Sequence, residues 1–337
     1  MDRIALLGLE PETLRATLAA ELESQGEPGY RVAQVTRWIG ERRARSFEEM
    51  TDLPADLRER LAARFSLGVA EVAFEARSED GTIKHLWRLA DGIQIESVLI
   101  PTTDRVTLCL SSQAGCALGC RFCATGELGF TRVSSEAFGR RLGNVVYMGM
   151  GEPFANSGPV FESLTILNRG FHFGARRITI STVGLVPGIL ELGQRPEPFR
   201  LAVSLHAADS TLRAELMPVE TRYPLDELLR AVREYQARKG RRVSFEYAMI
   251  GGVNDSVALA RALVDRLRGI ASYVNLIPYN PIPGRDWGPS PPDRIDAFVS
   301  VLEEGGVPVA VRTPRGRDIA AACGQLRLER QITGAAD

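Results

Sequence analysis

Three cysteines with an informative spacing lie in the segment CALGCRFC, at Cys116, Cys120 and Cys123. Zinc sites usually take four protein ligands, from two C-x2-C pairs or from cysteines together with histidines. Here the spacing is C-x3-C-x2-C, and the nearest histidine in the sequence is His85. Three thiolates on a [4Fe–4S] cubane leave one iron open to chelate the amino and carboxylate groups of a small molecule. The spacing predicts an iron–sulfur cluster that cleaves S-adenosylmethionine; a structural zinc site completed by a distant ligand is the alternative.

The chain has two further cysteines, Cys109 and Cys323. Four of the five fall within fifteen residues, which is not the spread of a disulfide framework in a secreted protein. Clustered cysteines in a reducing cytosol more often bind metal or take part in chemistry. Considered alone, Cys109 in the apolar run VTLCL reads as a buried structural cysteine, because a free cysteine packs like a small apolar residue.

Short β-rich runs alternate with amphipathic stretches from Arg105 onward. This alternation is typical of parallel βαβ units with right-handed crossovers. Six such units, without G-x-G-x-x-G after the first strand, predict an α/β protein with a partial (β/α)6 barrel. The cysteine cluster directly follows the first strand, where barrel enzymes carry their chemistry. The candidate strands are VTLCL, NVVYM, RITIS, RLAVSL, VSFEYAMI and SYVNLI, and the candidate helices include Leu225 to Lys239 and Ser256 to Leu267.

A small helical domain and a β-hairpin are predicted before the barrel. Val35, Trp38 and Ile39 follow helical spacing, and Pro54 suits the first turn of a further helix. Two alternating runs separated by Asp91-Gly92 predict the hairpin. The predicted domains are a helical accessory domain at 1–75, a hairpin linker at 76–104, the barrel at 105–326 and a flexible tail at 327–337.

The composition indicates an ordinary globular protein without a membrane span. Of 337 residues, 45% are hydrophobic and 25% charged, and no apolar stretch approaches the ~20 residues of a membrane helix. The start MDRIALLGLE is a poor signal peptide because its apolar run is short and acidic residues follow at once. We therefore expect a cytoplasmic protein.

The net charge of −1 gives no overall indication of a nucleic-acid-binding protein. An RNA site must then come from local positive charge. An arginine cluster in the helical domain is the candidate, and it reads equally well as a solvated helix face or as an RNA-contacting module. Its members are Arg31, Arg37, Arg42, Arg43 and Arg45.

Specific motifs run along nearly the whole chain: YRVAQVTRWI, FEEMTDLP, IESVLIP, TLCLSSQAGCALGCRFCATG, MGMGEP, ISTVG, VSLHA, the Glu-Tyr of FEYAMI, GVNDS, NLIPYNP and RGRDIAAACGQL. Together they resemble the radical S-adenosylmethionine RNA adenine methyltransferases of the RlmN/Cfr type. They are most similar to the RlmN branch, so the resemblance implies methylation of adenine carbon 2 in 23S rRNA and tRNA. It also implies a [4Fe–4S] cluster on the three clustered cysteines and two molecules of S-adenosylmethionine per turnover.

The resemblance further implies that the protein itself carries the methyl group. Cys323 in the AACGQ motif is methylated first by one S-adenosylmethionine, and the radical from a second one takes a hydrogen from the S-methyl group. The carbon radical then adds to the adenine ring, whose electron-poor carbon 2 cannot attack a sulfonium methyl directly. Glu96 removes the ring proton as general base. Cys109 attacks the Cys323 sulfur, forms a transient disulfide and releases the product.

By the same matching, S-adenosylmethionine contacts fall at strand ends. Glycine there lets the backbone approach a ligand, and the Glu152 carboxylate can hold the ligand's ammonium group. The residues are Gly151, Glu152, Ser181, Ser204, Leu205, His206 and Asn280. Considered alone, His206 is more commonly a packed or capping residue. The implied partners are 23S rRNA, tRNA and a low-potential flavodoxin or ferredoxin, and we expect a monomer.

Two other functions stay open. One is methylation of adenine carbon 8 in 23S rRNA, the sister activity, although Pro153 in MGMGEP looks more like the carbon 2 branch. The other is a non-catalytic iron–sulfur or zinc RNA-binding protein, which would not cleave S-adenosylmethionine. One segment departs from the family, because residues 130–143 leave room for only a stub of the first crossover helix.

Overall fold

The structure is a computed structural model that describes residues 3–68, 71–89, 92–118, 120–121, 123, 129–132, 142–282 and 284–321. Cys323, the predicted tail and residues 133–141 of the first crossover lie outside the described residues. Contacts divide the chain into two units: 1–71 with 135–141 and 158–174, and 72–134 with 142–157 and 175–337. In the described ranges, no helix combines the length and apolar character that crossing a membrane requires.

Among the described residues of the first unit are three N-terminal helices, two short paired strands and most of a fourth helix, Ser157–Thr165. Helix α1 is Pro11–Ser24, α2 is Tyr30–Gly40, α3 is Ala55–Arg64, and strand β1, Ile4–Ala5, pairs in parallel with β2, Phe65–Ser66. The predicted helical spacing is confirmed, since Val35 and Ile39 of α2 are buried in the core of this unit. Pro54 lies directly before α3, at its N-cap position, one residue earlier than the first turn in which it was predicted.

Part of the arginine cluster is paired inside the first unit. The Arg42 guanidinium lies 4.3 Å from the centre of the Trp38 ring and 3.8 Å from an Asp52 carboxylate oxygen. Arg31 lies 3.7 Å from the Glu27 carboxylate. These contacts give two members of the cluster a local role in packing, and the RNA-contacting role of the cluster stays a prediction.

A ten-stranded mixed sheet forms the centre of the second unit. Its strands are β3 (Glu71–Arg77), β4 (Ile83–Arg88), β5 (Gln94–Pro101), β6 (Val106–Leu110), β9 (Asn144–Tyr147), β10 (Ile178–Thr182), β11 (Arg200–Ser204), β12 (Val243–Met249), β13 (Ser272–Pro278) and β14 (Val309–Val311). The order across the sheet is β14-β13-β12-β11-β10-β9-β6-β5-β4-β3. A separate two-stranded sheet pairs β7, Ala114–Cys116, with β8, Gly129–Arg132.

All six predicted barrel strands are present, as β6 and β9 to β13, and neighbouring members pair in parallel. Strand β14 adds a seventh parallel strand. It was not predicted because three residues are too short for a period to show. The predicted hairpin is also present, and its strands β4 and β5 extend the main sheet through an antiparallel pairing of β5 with β6.

Helices follow most of the parallel strands. They are α4 (Ser157–Thr165), α5 (Val186–Gln194), α6 (Ser210–Leu216), α7 (Leu225–Lys239), α8 (Val257–Leu267) and α9 (Pro292–Glu304). Helices α7 and α8 match the predicted segments. Asp209 and Ser256 cap α6 and α8 with their side chains, and Gly240 ends α7 in a left-handed conformation.

Successive side chains of a strand point to opposite faces of the sheet, and along these parallel strands one face is polar and the other apolar. Ile180, Val203 and Phe245 on one face are fully buried. The other face carries Ser204, Glu246 and Asn275, which stand opposite one another on β11, β12 and β13. It also carries Ser181 of β10, which stands opposite Ala202, two residues before Ser204. This second face therefore carries the polar groups that a ligand at the sheet would meet.

Candidate active site

Two loops at the carboxyl edge of the parallel strands pack directly on each other. The Ser111 hydroxyl, just after β6, accepts a hydrogen bond from the Met150 amide at 2.9 Å. A Cβ atom added at Gly149 would lie 2.7 Å from that hydroxyl oxygen, and one at Gly151 would lie 2.5 Å from the Gln113 Cβ. Only glycine fits so close an approach, so packing requires both glycines of the MGMGEP motif.

Replacing Gly151 by alanine should destabilise the protein by about 3 kcal/mol. Its φ of 93° lies in the left-handed region, which costs a side chain ~1–2 kcal/mol, and the contact with Gln113 adds about 1–3 kcal/mol of overpacking. Gly252→Ala is the matched control, because Gly252 has φ 73° but no atom within 4 Å of the added Cβ. Urea unfolding should show the larger loss for Gly151→Ala; equal losses would contradict the packing argument.

Glu152 is buried directly after this glycine and joins the ends of β9 and β10. Its carboxylate accepts hydrogen bonds from the Val183 amide at 2.8 Å and from the Phe154 amide at 3.1 Å. Burial raises the pKa of Glu152 to about 7, although these hydrogen bonds act in the opposite direction. A carboxylate that is so costly to charge gains from a cationic neighbour, so the position suits the ammonium group of an amino acid.

The segment after β11 is fixed by the backbone and side chains that follow the next strand. The Leu205 amide donates to the Glu246 carbonyl at 2.9 Å. His206 has a positive φ of 56°, and the Asn254 side-chain amide donates to its carbonyl at 2.8 Å. The His206 Nδ1 atom accepts from the Ala248 amide at 2.9 Å, so the neutral ring carries its proton on Nε2. Burial and then the nearby Arg213 lower the pKa of His206 to about 3.

His206 should make the protein sensitive to acid. An unfolded chain binds a proton at this side chain near pH 6.5, whereas the folded protein does not do so until about pH 3. Stability that is present above pH 6.5 is therefore lost as the pH falls, by about 3 kcal/mol at pH 4.

Urea unfolding between pH 7 and pH 4 tests this sensitivity. A His206→Gln variant should lose less stability over that range than the wild type. A variant of the exposed His172, His172→Gln, should keep the wild-type pH dependence. A His206→Gln variant with unchanged acid sensitivity would contradict the assignment.

The cysteine segment lies at the same edge of the sheet. Cys120 is buried in an apolar cluster with Ala207, Ile250 and Tyr279, which follow β11, β12 and β13, and Cys123 packs against this cluster. The cluster therefore anchors the cysteine segment where three parallel strands end.

The three thiols influence one another. Burial, the Cys123 thiol and Glu152 raise the pKa of Cys116 to about 11. Burial and then the thiols of Cys123 and Cys116 raise the pKa of Cys120 as well. Negative charge on these sulfurs is thus disfavoured unless a cation joins them, and a multi-iron cluster is such a cation. Within the described residues, no three His, Cys, Asp or Glu side chains are placed to hold a single metal ion.

Arg213 is a buried residue that the sequence analysis missed. It is fully buried on α6, forms an ion pair with Glu220, and donates to the Val183 carbonyl at 2.6 Å. Burial lowers the pKa of Arg213, and the ion pair with Glu220 acts in the opposite direction. No pattern distinguished Arg213 from the many other arginines of the chain.

The predicted base and the predicted resolving cysteine share one face of the sheet. Val98 of β5 lies opposite Cys109 of β6, and Glu96 is two residues from Val98 on the same side of the strand. Both Glu96 and Cys109 are buried. The Glu96 backbone is held by the Ser111 hydroxyl, which donates to its carbonyl.

The predicted S-adenosylmethionine contacts fall into groups. Glu152 meets the end of β10 through Val183, and Gly151, directly before it, packs on Gln113. Leu205 and His206 meet β12 through Glu246 and Ala248. Ser181 and Ser204 lie on the polar face. Asn280 is buried after β13, where its side-chain oxygen accepts from the Arg317 Nε at 3.0 Å. The structure thus places all of these residues on the polar face or carboxyl edge of one sheet.

Glu246 is a further candidate residue of the active site, and the sequence analysis assigned no role to it. One carboxylate oxygen accepts from the Ser244 hydroxyl at 2.7 Å and from the Asn275 amide at 2.8 Å. The other oxygen is buried without a hydrogen-bond partner among the described residues. The Glu-Tyr of FEYAMI was the only indication of it in the sequence.

Comparison with known proteins identifies two family models in the chain. The N-terminal domain of the ribosomal RNA large subunit methyltransferases matches residues 4–67, and the radical SAM superfamily matches residues 110–263. The two matches cover the helical region and most of the strands that carry the site.

Curated relatives match almost the whole chain. A probable dual-specificity RNA methyltransferase RlmN from Gemmatimonas aurantiaca is 48% identical, covering 96% of this chain and 93% of the relative. The dual-specificity RNA methyltransferase RlmN of Anaeromyxobacter dehalogenans is 46% identical, covering 93% and 90%. The crystal structure of a radical SAM methyltransferase from Sphaerobacter thermophilus is 45% identical with a TM-score of 0.90, covering 96% and 99%. The predicted fold class is confirmed by this match.

Proposed function

Because the chain belongs to the RlmN family of radical SAM RNA methyltransferases, we propose that it methylates adenine carbon 2 in 23S rRNA and in tRNA. The observation that carries the proposal is the identity of 48% over nearly the full length of a relative with that dual-specificity name. Glu96 and Cys109 share one face of the sheet, which supports the proposal, since methyl transfer through a protein thiol needs a base and a second thiol on the same side.

The cofactors we propose are a [4Fe–4S] cluster on Cys116, Cys120 and Cys123, and S-adenosylmethionine. When bound, the cluster supplies the electron that cleaves S-adenosylmethionine, and a low-potential flavodoxin or ferredoxin is the donor we propose. Glu152 is suited to the ammonium group of the ligand because its carboxylate is buried and costly to charge. The hydroxyls of Ser181 and Ser204, the neutral ring of His206 and the side chain of Asn280 offer polar contacts along the same edge. Leu205 lies beside them, with its amide bonded to the Glu246 carbonyl.

The roles we propose for the remaining residues follow the movement of the methyl group. The Cys323 thiolate displaces S-adenosylhomocysteine from one S-adenosylmethionine, so that a sulfur–methyl bond forms as the sulfonium–methyl bond breaks. After the methyl carbon is joined to adenine, Glu96 accepts the proton from carbon 2. Once the unpaired electron of the adduct has passed to a one-electron acceptor, Cys109 attacks the Cys323 sulfur, and the disulfide forms as the bond from sulfur to the transferred carbon breaks. That carbon keeps the electron pair of the broken bond and takes up a proton, which gives the methyl group. We further propose that the protein is a cytoplasmic monomer.

An anaerobic assay with reconstituted protein, reductant, S-adenosylmethionine and a 23S rRNA fragment tests the proposal. We expect 5′-deoxyadenosine and 2-methyladenosine to form together. Cys120→Ala is the control, and it should lose the visible absorption of the cluster and both products. Formation of 8-methyladenosine would favour the sister activity. An iron-loaded protein that leaves S-adenosylmethionine intact would favour a non-catalytic RNA-binding protein.

A further inference from the structure

Lys84 lies on the same face of the sheet as Glu96 of β5 and Cys109 of β6. It stands opposite Val98, which in turn stands opposite Cys109, and Glu96 is two residues further along the same strand. Its side chain is only 11% exposed. It is one of just two lysines in a chain with 41 lysine and arginine residues, so a general excess of lysine does not explain its position.

The Lys84 ammonium group contacts two different parts of the second unit. Its Nζ atom lies 3.8 Å from a Glu96 carboxylate oxygen and 3.3 Å from the Ala320 carbonyl oxygen. A buried ammonium group requires such partners, since burying an unpaired charge is very costly. Lys84 thus connects the proposed base with a segment more than two hundred residues away in the sequence.

That segment, residues 315–321, is called the C-terminal arm. It is docked on the turn between β3 and β4. The Asp318 carboxylate accepts from the Ser78 hydroxyl at 2.6 Å and from the Glu79 amide at 3.2 Å. The arm is therefore held at the same hairpin that carries Lys84.

A second acidic residue of the turn holds the beginning of the arm. The Asp80 carboxylate accepts from the Gly316 amide at 3.0 Å and from the Thr82 amide at 2.9 Å. Burial acts against its charge, but hydrogen bonds from Thr82, Gly316 and Ser78 lower the pKa of Asp80 to about 2. The carboxylate is therefore ionised at neutral pH, the state in which both of its oxygens accept hydrogen bonds.

The docked arm limits where Cys323 can lie. Cys323 follows Ala320 by three residues, and three extended residues span at most about 11 Å. Anchoring Ala320 therefore keeps the Cα atom of Cys323 within about that distance of the Ala320 Cα atom.

We propose that Lys84 is a positioning residue that holds the Glu96 carboxylate and the C-terminal arm in a fixed position relative to each other. This inference rests on the proposed roles of Glu96 and Cys323. The ammonium group orients the carboxylate towards the adduct and anchors the arm at the Ala320 carbonyl. A misplacement of about 1 Å in such an arrangement can lower a rate a hundredfold, although the variant residue never touches the substrate.

The test compares Lys84→Met, Lys84→Arg and Lys239→Met. Methionine keeps most of the side-chain length without the charge, and arginine keeps the charge and hydrogen-bond donors. Lys239→Met is the matched control, because the Lys239 ammonium group also donates to backbone carbonyls, those of Arg195 and Glu197, but at the end of α7.

The first readout is 2-methyladenosine formed per 5′-deoxyadenosine. For Lys84→Met we expect this ratio to fall at least tenfold and kcat about a hundredfold, with the KM for RNA within twofold of the wild type. Lys84→Arg should recover the ratio to within threefold, and Lys239→Met should match the wild type. A purely structural ion pair would instead lower the amount of active protein and leave the ratio unchanged.

The second readout is amide hydrogen exchange of residues 315–321 in the protein without substrates. Lys84→Met should exchange faster there, and Lys84→Arg and Lys239→Met should not. This readout is independent of activity. If the wild type fails to make 2-methyladenosine, the proposed function is refuted, but the exchange rates still show whether Lys84 holds the C-terminal arm. Wild-type exchange of the arm in Lys84→Met, or a wild-type product ratio in that variant, would overturn the proposal.

Discussion

Replacing Cys109 by alanine is expected to leave the protein covalently attached to its RNA. In the proposed chemistry, attack by the Cys109 thiolate on the Cys323 sulfur is the step that breaks the bond between sulfur and the transferred carbon. Without that thiolate the carbon stays joined to both the protein and adenine. Removing a nucleophile from a covalent mechanism typically costs a factor of roughly 10⁴–10⁶, so turnover should fall below detection.

Denaturing electrophoresis with end-labelled RNA measures the adduct. Cys109→Ala should give a band that retains the label after boiling in detergent, and digestion should locate the link at the Cys323 peptide. A Cys109→Ala/Cys323→Ala double variant should give no such band. Continued turnover by Cys109→Ala would contradict the resolving role of Cys109. A band that survives in the double variant would contradict the methyl-carrier role of Cys323.

Replacing Arg213 by methionine should destabilise the protein by about 3–5 kcal/mol. The ion pair with Glu220 is buried on both sides, and removing one partner leaves an uncompensated charge in the interior. The change also removes the donor to the Val183 carbonyl. Because ~1.4 kcal/mol is a factor of ten in the unfolding equilibrium, such a loss is large against an ordinary domain stability of about 5–15 kcal/mol.

Urea unfolding of the reduced, iron-free protein gives this loss directly. Arg213→Met/Glu220→Gln should recover a large part of it, because the unpaired charge is no longer buried. Arg266→Met is the control, since Arg266 pairs with Asp226 at the surface and such pairs contribute about 0–1 kcal/mol. Similar losses in Arg213→Met and Arg266→Met would show that the buried pair has no special role.

Much of the second unit could be predicted from the sequence, because its elements carry strong local patterns. In the sequence, strands β6 and β9 to β13 are short apolar runs, as expected of strands buried in a parallel sheet. Helix α7 begins and ends at the predicted residues, since its apolar period is regular and Gly240 ends it. The short strand β14 has no such pattern and was missed.

The candidate site was predictable where it depends on strand ends and was missed where it depends on contacts across the chain. Motifs after successive parallel strands must meet at one edge of the sheet, and Glu152 does meet the end of β10. The pairing of Lys84 with Ala320 spans 236 residues, and no local pattern encodes it. Arg213 was missed because a single arginine in an arginine-rich chain shows no sign of being buried.

The most direct test of the proposed activity is mass spectrometry of modified nucleosides in 23S rRNA and tRNA from a strain that lacks this chain. We expect 2-methyladenosine to disappear from both RNAs and to return when the wild-type chain is restored, but not when Cys323→Ala is restored. Persistence of 2-methyladenosine in the deletion strain, or loss of 8-methyladenosine instead, would contradict methylation of adenine carbon 2 by this chain.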